Sequence, residues 1–219
     1  MMTSVEAPYP CKEVEMLRKF GKVKKVTQDQ EGRQAPPGQY ITDKFPILTH
    51  GPTPRIDLKV WSFRISGLVE EERTLAWEEF MALPQIALTR DFHCVTQWSR
   101  QDNLWEGIPF REVAGLVKPK PEALFVMVHS YGGYTTNLAL DTAMEEDVLF
   151  AHRHDGKPLE AGHGGPMRLV VPSRYGWKSA KWVKGIEFMA ENSMGFWEEL
   201  GYHNNGDPWN EERFWDRSE

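Results

Sequence analysis

The amino-acid sequence predicts an α+β domain, with mixed β-sheets, short helices and long loops. Three observations point there. Apolar or alternating runs of roughly four to eight residues recur between turn residues, the helical stretches are few and short, and strands and helices do not alternate in the βαβ rhythm of a doubly wound sheet. There is no internal repeat and no low-complexity segment.

Taken in order, the first 40 residues are polar and mixed in charge and end in "APPGQY", which predicts a peripheral arm with a short helix at "EVEMLRKF". "WSFRI" alternates Trp61, Phe63 and Ile65 against Ser62 and Arg64 and predicts a strand closed by Gly67. Thr74 is placed to cap a helix "LAWEEFMAL", stopped by Pro84, with Leu75, Phe80 and Leu83 inward. "QIALTRDF" predicts a strand leading into His93 and Cys94. Pro109 suits the first position of a helix "PFREVAGLV". "EALFVMVHS" is short and continuously apolar, as a buried strand ending at His129 and Ser130 would be. Asp141 is expected to cap a helix "TAMEED", and "DVLFAHRH" before Asp155-Gly156 predicts a strand and tight turn. "MRLVVP" and "KGIEFMA" add two strands.

With 219 residues, 40% of them hydrophobic and 26% charged, the chain is expected to form one domain over residues 41–219 behind the arm of residues 1–40. A net charge of −6 argues against nucleic-acid binding. No apolar run is long enough for membrane insertion, and "MMTSVEAPYPCKEVEMLRKF" lacks the apolar region of a secretory signal, so the expected compartment is the cytoplasm. Two cysteines, Cys11 and Cys94, make no disulfide framework. Trp197, Trp209 and Trp215 crowd the C-terminus and are expected to wrap over a core as an apolar clasp.

The stretch "GHGGPMRLVVPSRYGWKSAKWVKG" inverts the chain's charge: Arg168, Arg174, Lys178, Lys181 and Lys184 stand there without Asp or Glu. With Gly162, Gly164 and Gly165 admitting close backbone approach, it reads as an anion site or as a solvated basic face. Neither a P-loop nor a GxGxxG fingerprint occurs. Cys94, in "RDFHCVTQW", reads as an inert buried thiol, as a nucleophile served by a distant His, or as one thiolate ligand to a soft metal. His152 and His154 fall on one side of a strand, so a zinc site with His163 competes with exposed strand histidines. Glu78-Glu79 and Glu145-Glu146 read as solvated helix charge.

From about Tyr40 onward the blocks "KFPILTHGPTP", "RDFHCVTQW", "WEGIPFREV", "HDGKPLEAGHGGPMRLVVPSRYGWKSAKWVKGIEF" and "GFWEELGYHNNGDPWNEERFW" resemble, in that order, the molybdopterin-binding domain of the sulfite oxidase superfamily, and in particular its small bacterial sulfite oxidase-like oxidoreductases. The resemblance implies that fold and a Mo-molybdopterin cofactor. It implies Cys94 as the protein's ligand to molybdenum, the other in-plane sulfurs coming from the pterin dithiolene. His163, Arg168, Ser179, Ala180 and Lys181 match residues that hold the pterin. The segment from Phe45 to Thr49, with His50, matches an earlier anchor, and Ser130 or its neighbour His129 matches a residue after the central strand. Molybdopterin ends in a phosphate, for which Arg168 and Lys181 are fitting partners. Positive surroundings are expected to lower the thiol pKa.

The resemblance departs at the substrate pocket. Sulfite oxidases follow their cysteine with a small residue and an Asn-Arg-Arg run, whereas "CVTQWSR" displaces Arg100 and interposes Trp98, so sulfite is not the expected substrate. Relatives that reduce methionine sulfoxide have Asn where this chain has His163. The haem and dimerisation domains of animal sulfite oxidases have no counterpart here, which implies a separate electron-transfer partner. The resulting expectation is a molybdopterin-dependent oxidoreductase carrying out oxo transfer and two-electron transfer on a small-molecule substrate, with His93, Arg90 and Trp98 lining its pocket. A non-catalytic molybdopterin carrier and a metal-free Cys-His hydrolase are the alternatives.

Overall fold

The computed structural model describes residues 27–29 and 32–215. Cys11 and the helix expected at "EVEMLRKF" lie outside the described residues. Among the described residues, eleven strands form two sheets. The first contains β1 (Tyr40–Ile41), β4 (Ile86–His93), β5 (Trp98–Pro109), β8 (Leu149–His154), β9 (Lys157–Pro158) and β10 (Arg168–Val170). In the second, β3 (Arg73–Ala76), β2 (Ser62–Gly67), β11 (Val183–Met189), β6 (Phe125–Ser130) and β7 (Thr135–Ala139) lie in that order. β11 runs parallel to β2 and antiparallel to β6. Among the described residues, four short α-helices, α1 (Trp77–Met81), α2 (Phe110–Gly115), α3 (Leu140–Ala143) and α4 (Phe196–Glu199), connect or flank the strands. No helix among the described residues is long and apolar enough to cross a membrane.

The alternation in β2 buries Phe63 and Ile65 fully, and they face β8 and β10 across the main core, where the Phe63 and Phe150 rings meet at 5.0 Å. Each such aromatic contributes about 1.5–3 kcal/mol by leaving water. The first sheet is buried on both faces. Phe150 and Leu169 point into the main core, while Leu149, Ala151 and Val170 point into a second cluster with Phe92, Trp98 and Trp105. Two-sided burial explains why "DVLFA" and "RLVV" read as continuous rather than alternating apolar runs.

The structure corrects several expectations. Thr74 lies in β3, paired with Arg64, and the helix begins only at Trp77. The Glu79 side chain accepts from the Ala76 amide at 2.8 Å, doing the work expected of Thr74. Pro109 precedes α2 by one residue. Asp141 lies inside α3, where its carboxylate accepts from the Thr142 amide at 2.6 Å. Neither β5 nor β7 is visible as a hydrophobic run, because each buries polar residues, Ser99 and Asn103 in one, Thr136 and Asn137 in the other. The clasp is partial: Trp197 is half-buried, but Trp209 and Trp215 stay 55% and 43% exposed.

The described part of the segment before residue 41 lies along β5. The Tyr40 amide donates to the Gln97 carbonyl at 2.9 Å, and Arg33 pairs with Asp102 at 2.5 Å.

Candidate active site

Cys94 occupies the first position of the turn that joins β4 to β5. The Gln97 amide donates to the Cys94 carbonyl at 3.0 Å and the Cys94 amide to the Trp98 carbonyl at 2.9 Å, with Gln97 left-handed at φ 71°. Two long side chains brace this turn from outside: Gln39 Nε2 donates to the Cys94 carbonyl at 3.0 Å and Arg213 Nη1 to the Val95 carbonyl at 2.7 Å. The thiol is free and packs against the second cluster, with Sγ 3.1 Å from Thr96 Oγ1. Burial pushes its pKa up, against the pull of Thr96 and of the Arg213 and Lys181 charges. Positive surroundings therefore act as expected but are outweighed. A bound metal cation would reverse that balance by stabilising the thiolate directly.

His93, the neighbouring residue, turns the other way. Its Nδ1 lies 2.8 Å from Ser99 Oγ, and burial lowers its pKa to about 4. The Cys94 thiol meets Thr96 rather than an imidazole among the described residues, so the geometry gives a Cys-His hydrolase no support.

Behind the turn sits Arg168, 2% exposed, under the rings of Phe45, Phe92 and Trp105. Its guanidinium donates to the His163 carbonyl at 2.9 Å and the Ser179 carbonyl at 3.0 Å. The Phe45 ring stacks on the His163 imidazole at 4.6 Å and 2°. Lys181 Nζ donates to the carbonyls of Gly162 at 2.7 Å and Leu48 at 2.9 Å. Burial and the nearby Arg168 charge depress the Lys181 pKa to about 7, and burial brings Arg168 to about 10. Neither cation makes an ion pair with a carboxylate within 4.0 Å among the described residues. Two adjacent desolvated cations without a counter-ion are costly. They fit a group that brings its own anion, such as the phosphate of molybdopterin.

The solvated-face reading of this stretch survives only at Lys184, which is exposed, while Arg168 and Lys178 are buried. The glycines serve packing more than ligand approach. The Gly164 and Gly165 amides donate to Ala161 and Glu160 carbonyls at 3.1 and 3.0 Å. A Cβ at Gly164, where φ is +110°, would meet Arg168 Cβ and Lys181 Cβ at 3.0 Å.

A cavity of about 90 Å³ opens beside Lys181. His50, Ser179, Ala180 and Lys181 line it, so the fold brings together four of the residues singled out from the sequence. Phe45, His163 and Arg168 form the layer behind it, joined through the Arg168–Ser179 bond. The Gly176 amide donates to the His93 carbonyl at 2.7 Å, tying the cavity wall to the Cys94 turn. Ser130 ends β6 beside the wall, its Oγ buried and without a hydrogen-bond partner among the described residues. His129 turns to Glu187 at 3.2 Å, away from this region. Five lining residues were not anticipated as such: Tyr134, Gly176, Trp177, Trp182 and Trp197. The Tyr134 hydroxyl donates to the Trp177 carbonyl at 2.5 Å.

Arg90 and Trp98 are not at this cavity. Arg90 pairs with Asp147 at 2.7 Å on the surface and Trp98 is core. The histidines considered for zinc are engaged separately, His152 with Gln85 at 2.8 Å and His154 with Arg100 at 2.9 Å. No cluster of His, Cys, Asp and Glu suited to a metal occurs among the described residues.

Known proteins resemble this chain in sequence and in fold. Residues 50–197 match the family model described as the oxidoreductase molybdopterin binding domain. A Bacillus subtilis protein named an uncharacterized oxidoreductase, YuiH, is 45% identical over 199 residues, 90% of this chain and 99% of its own length. Sulfite oxidase of Arabidopsis thaliana is 31% identical over 208 residues, 78% of this chain and 53% of the relative. The MsrP catalytic subunit, a protein-methionine-sulfoxide reductase of Campylobacter jejuni, is 32% identical over 170 residues, 68% of this chain and 57% of the relative. The chain thus spans little more than half of the latter two. The solved sulfane dehydrogenase SoxCD of Paracoccus pantotrophus shares the fold, with a TM-score of 0.60 at 21% identity, over 65% of this chain and 41% of that one. The chain belongs to the molybdopterin-binding domain family of the sulfite oxidase superfamily, molybdenum-dependent oxidoreductases that use molybdopterin as cofactor.

Proposed function

We propose that residues 41–219 form a molybdopterin-dependent oxidoreductase domain in which Cys94 Sγ binds the metal and Arg168 and Lys181 neutralise the cofactor's phosphate, with residues 1–40 as a peripheral arm. One observation carries the reading: a buried and a half-buried cation, Arg168 and Lys181, without a carboxylate partner among the described residues lie next to a half-buried free cysteine held at a braced turn. When bound, the cofactor supplies two-electron redox and oxo-transfer chemistry.

The chain's own residues supply binding, orientation and a dry wall. Cys94 offers the single thiolate that a soft metal prefers. The Gln39 and Arg213 contacts hold the turn that aims it. Lys181, with its proton loosely held, gains an anionic partner on binding. His163 offers a polar ring edge to the pterin, backed by Phe45. Ser130, His50, Ser179 and Ala180 complete the holding set. Tyr134, Trp177 and Trp197 exclude water from the cavity side. The substrate is a small molecule, and electrons pass to a separate partner.

Metal and pterin analysis of protein purified from a molybdate-fed host tests the proposal. Stoichiometric molybdenum or tungsten with pterin fluorescence is the expected result, and absence of both overturns it.

A further inference from the structure

A second, larger cavity of about 230 Å³ lies away from the Cys94 turn, against the outer edge of β7. Its polar wall consists of Asn137, Thr142, Arg174, Asn204 and Asn205. Drug-sized sites usually exceed about 300 Å³, so this one suits a small occupant.

The hydrogen-bond directions in the wall are dictated by charged groups at its two ends. Lys178 Nζ, which can only donate, lies 2.9 Å from Asn137 Oδ1. Asn137 Nδ2 must therefore face outward, and it donates to Asn192 Oδ1 at 2.6 Å and to Asn204 Oδ1 at 2.7 Å. At the other end Asn205 Nδ2 donates to the Glu212 carboxylate at 2.7 Å, which turns Asn205 Oδ1 toward Arg174 Nε at 3.0 Å. Arg174 also donates from Nη1 to the Ser173 carbonyl at 3.0 Å and from Nη2 to Thr142 Oγ1 at 2.9 Å.

Every side-chain oxygen of this wall is thus already turned to a donor. What stays unpartnered among the described residues is hydrogen: one N–H on each Nη of Arg174, the Nδ2 hydrogens of Asn204 and the Thr142 hydroxyl proton. Nearby carboxylates are spent elsewhere, Glu145 on Ser173 Oγ at 2.7 Å and Asp141 on the Thr142 amide at 2.6 Å. Arg174 makes no ion pair within 4.0 Å among the described residues. A half-buried cation beside a donor surplus in a small cavity is the complement of an oxyanion.

From this juxtaposition we infer that the Arg174–Asn204 cavity binds a small oxyanion, a carboxylate or a phosphate, at a site separate from the Lys181 cavity. The inference does not depend on the cofactor assignment. Lys178 joins the two regions through its bond to Asn137, so an occupant would touch the same buried network that backs Trp177.

Calorimetric titration of the full chain with inorganic phosphate and, separately, with succinate, at constant ionic strength against chloride, tests it. The expected result, for at least one of the two anions, is a saturable site that persists when Lys181 is replaced. Arg174→Gln should weaken it at least tenfold. Asn204→Asp keeps the oxygen that Asn137 needs and replaces the free amide hydrogens with negative charge, so it should weaken binding as much even if Arg174→Gln fails to fold. Lys181→Met should leave it unchanged. Absence of saturable binding beyond chloride overturns the inference, and so does binding that is lost in Lys181→Met and kept in Asn204→Asp.

Discussion

Lys178 Nζ and Glu198 Oε1 lie 2.5 Å apart with both side chains excluded from solvent. The same oxygen accepts from Trp177 Nε1 and Thr136 Oγ1, each at 3.0 Å. This pair fastens α4 to the segment that walls the Lys181 cavity. Removing one member strands the other as a buried charge or leaves its neighbours unpaired. Glu198→Ala is expected to destabilise the fold by about 3–5 kcal/mol, read from urea unfolding. The double variant Lys178→Met, Glu198→Leu should cost less than the sum of its single changes, because no lone charge is left behind.

Arg168→Ala and Lys181→Ala are expected to empty the site of cofactor rather than merely weaken substrate binding. The check is molybdenum and pterin content of each purified variant beside its melting temperature. A folded Lys181→Ala protein with full cofactor would contradict the phosphate assignment.

Cofactor retention should also depend on pH through Lys181. Its free-site pKa is about 7, and an anionic neighbour raises it. Above pH 7 binding must therefore take up a proton, so affinity falls as pH rises. Reconstitution of cofactor-free protein between pH 6 and 9 measures this, and Lys181→Arg should flatten the profile.

Acid should loosen the fold before its carboxylates titrate. His93 is neutral in the folded chain down to about pH 4, while the unfolded chain protonates it near 6.5. Between those values only the unfolded state binds that proton, so stability falls as pH falls, by up to about 3 kcal/mol at pH 4. His154 adds in the same direction, since burial, helped by the Arg100 charge, lowers its pKa to about 4 as well. Asp102, Asp155 and Glu72, all held below their ordinary values, contribute only at lower pH. Melting temperatures of the parent and His93→Gln across pH 4 to 7 should converge toward pH 4.

Much of the architecture is legible from periodicity, because β2, β4, β6, β8, β10 and β11 each carry an apolar signal of their own. β5 and β7 do not. Asn103 and Asn137 are buried there only because other residues supply partners, Arg90 and Arg100 for one, Lys178, Asn192 and Asn204 for the other. β3 shows tertiary pairing overriding a local helical signal, with Thr74 drawn into register against Arg64. At the site, the charge inversion and Cys94 stand out in one dimension. Tyr134 and Trp177 do not, since an aromatic side chain reads the same in a core as in a cavity wall. Lys178 and Arg174 sit in one basic run yet end in opposite settings, and only Glu198, far along the chain, decides which of them is neutralised.

The Cys94 turn is braced by Gln39 from one end of the sequence and by Arg213 from the other. During synthesis the first brace leaves the ribosome long before the hairpin it holds, and the second emerges more than a hundred residues after it. This corner is consequently completed only after the two strands that it joins. Until residue 213 is available, the thiol rides on a hairpin with the Val95 carbonyl still open to water, so the Cys94 corner is finished by residues made long after the strands of its own sheet.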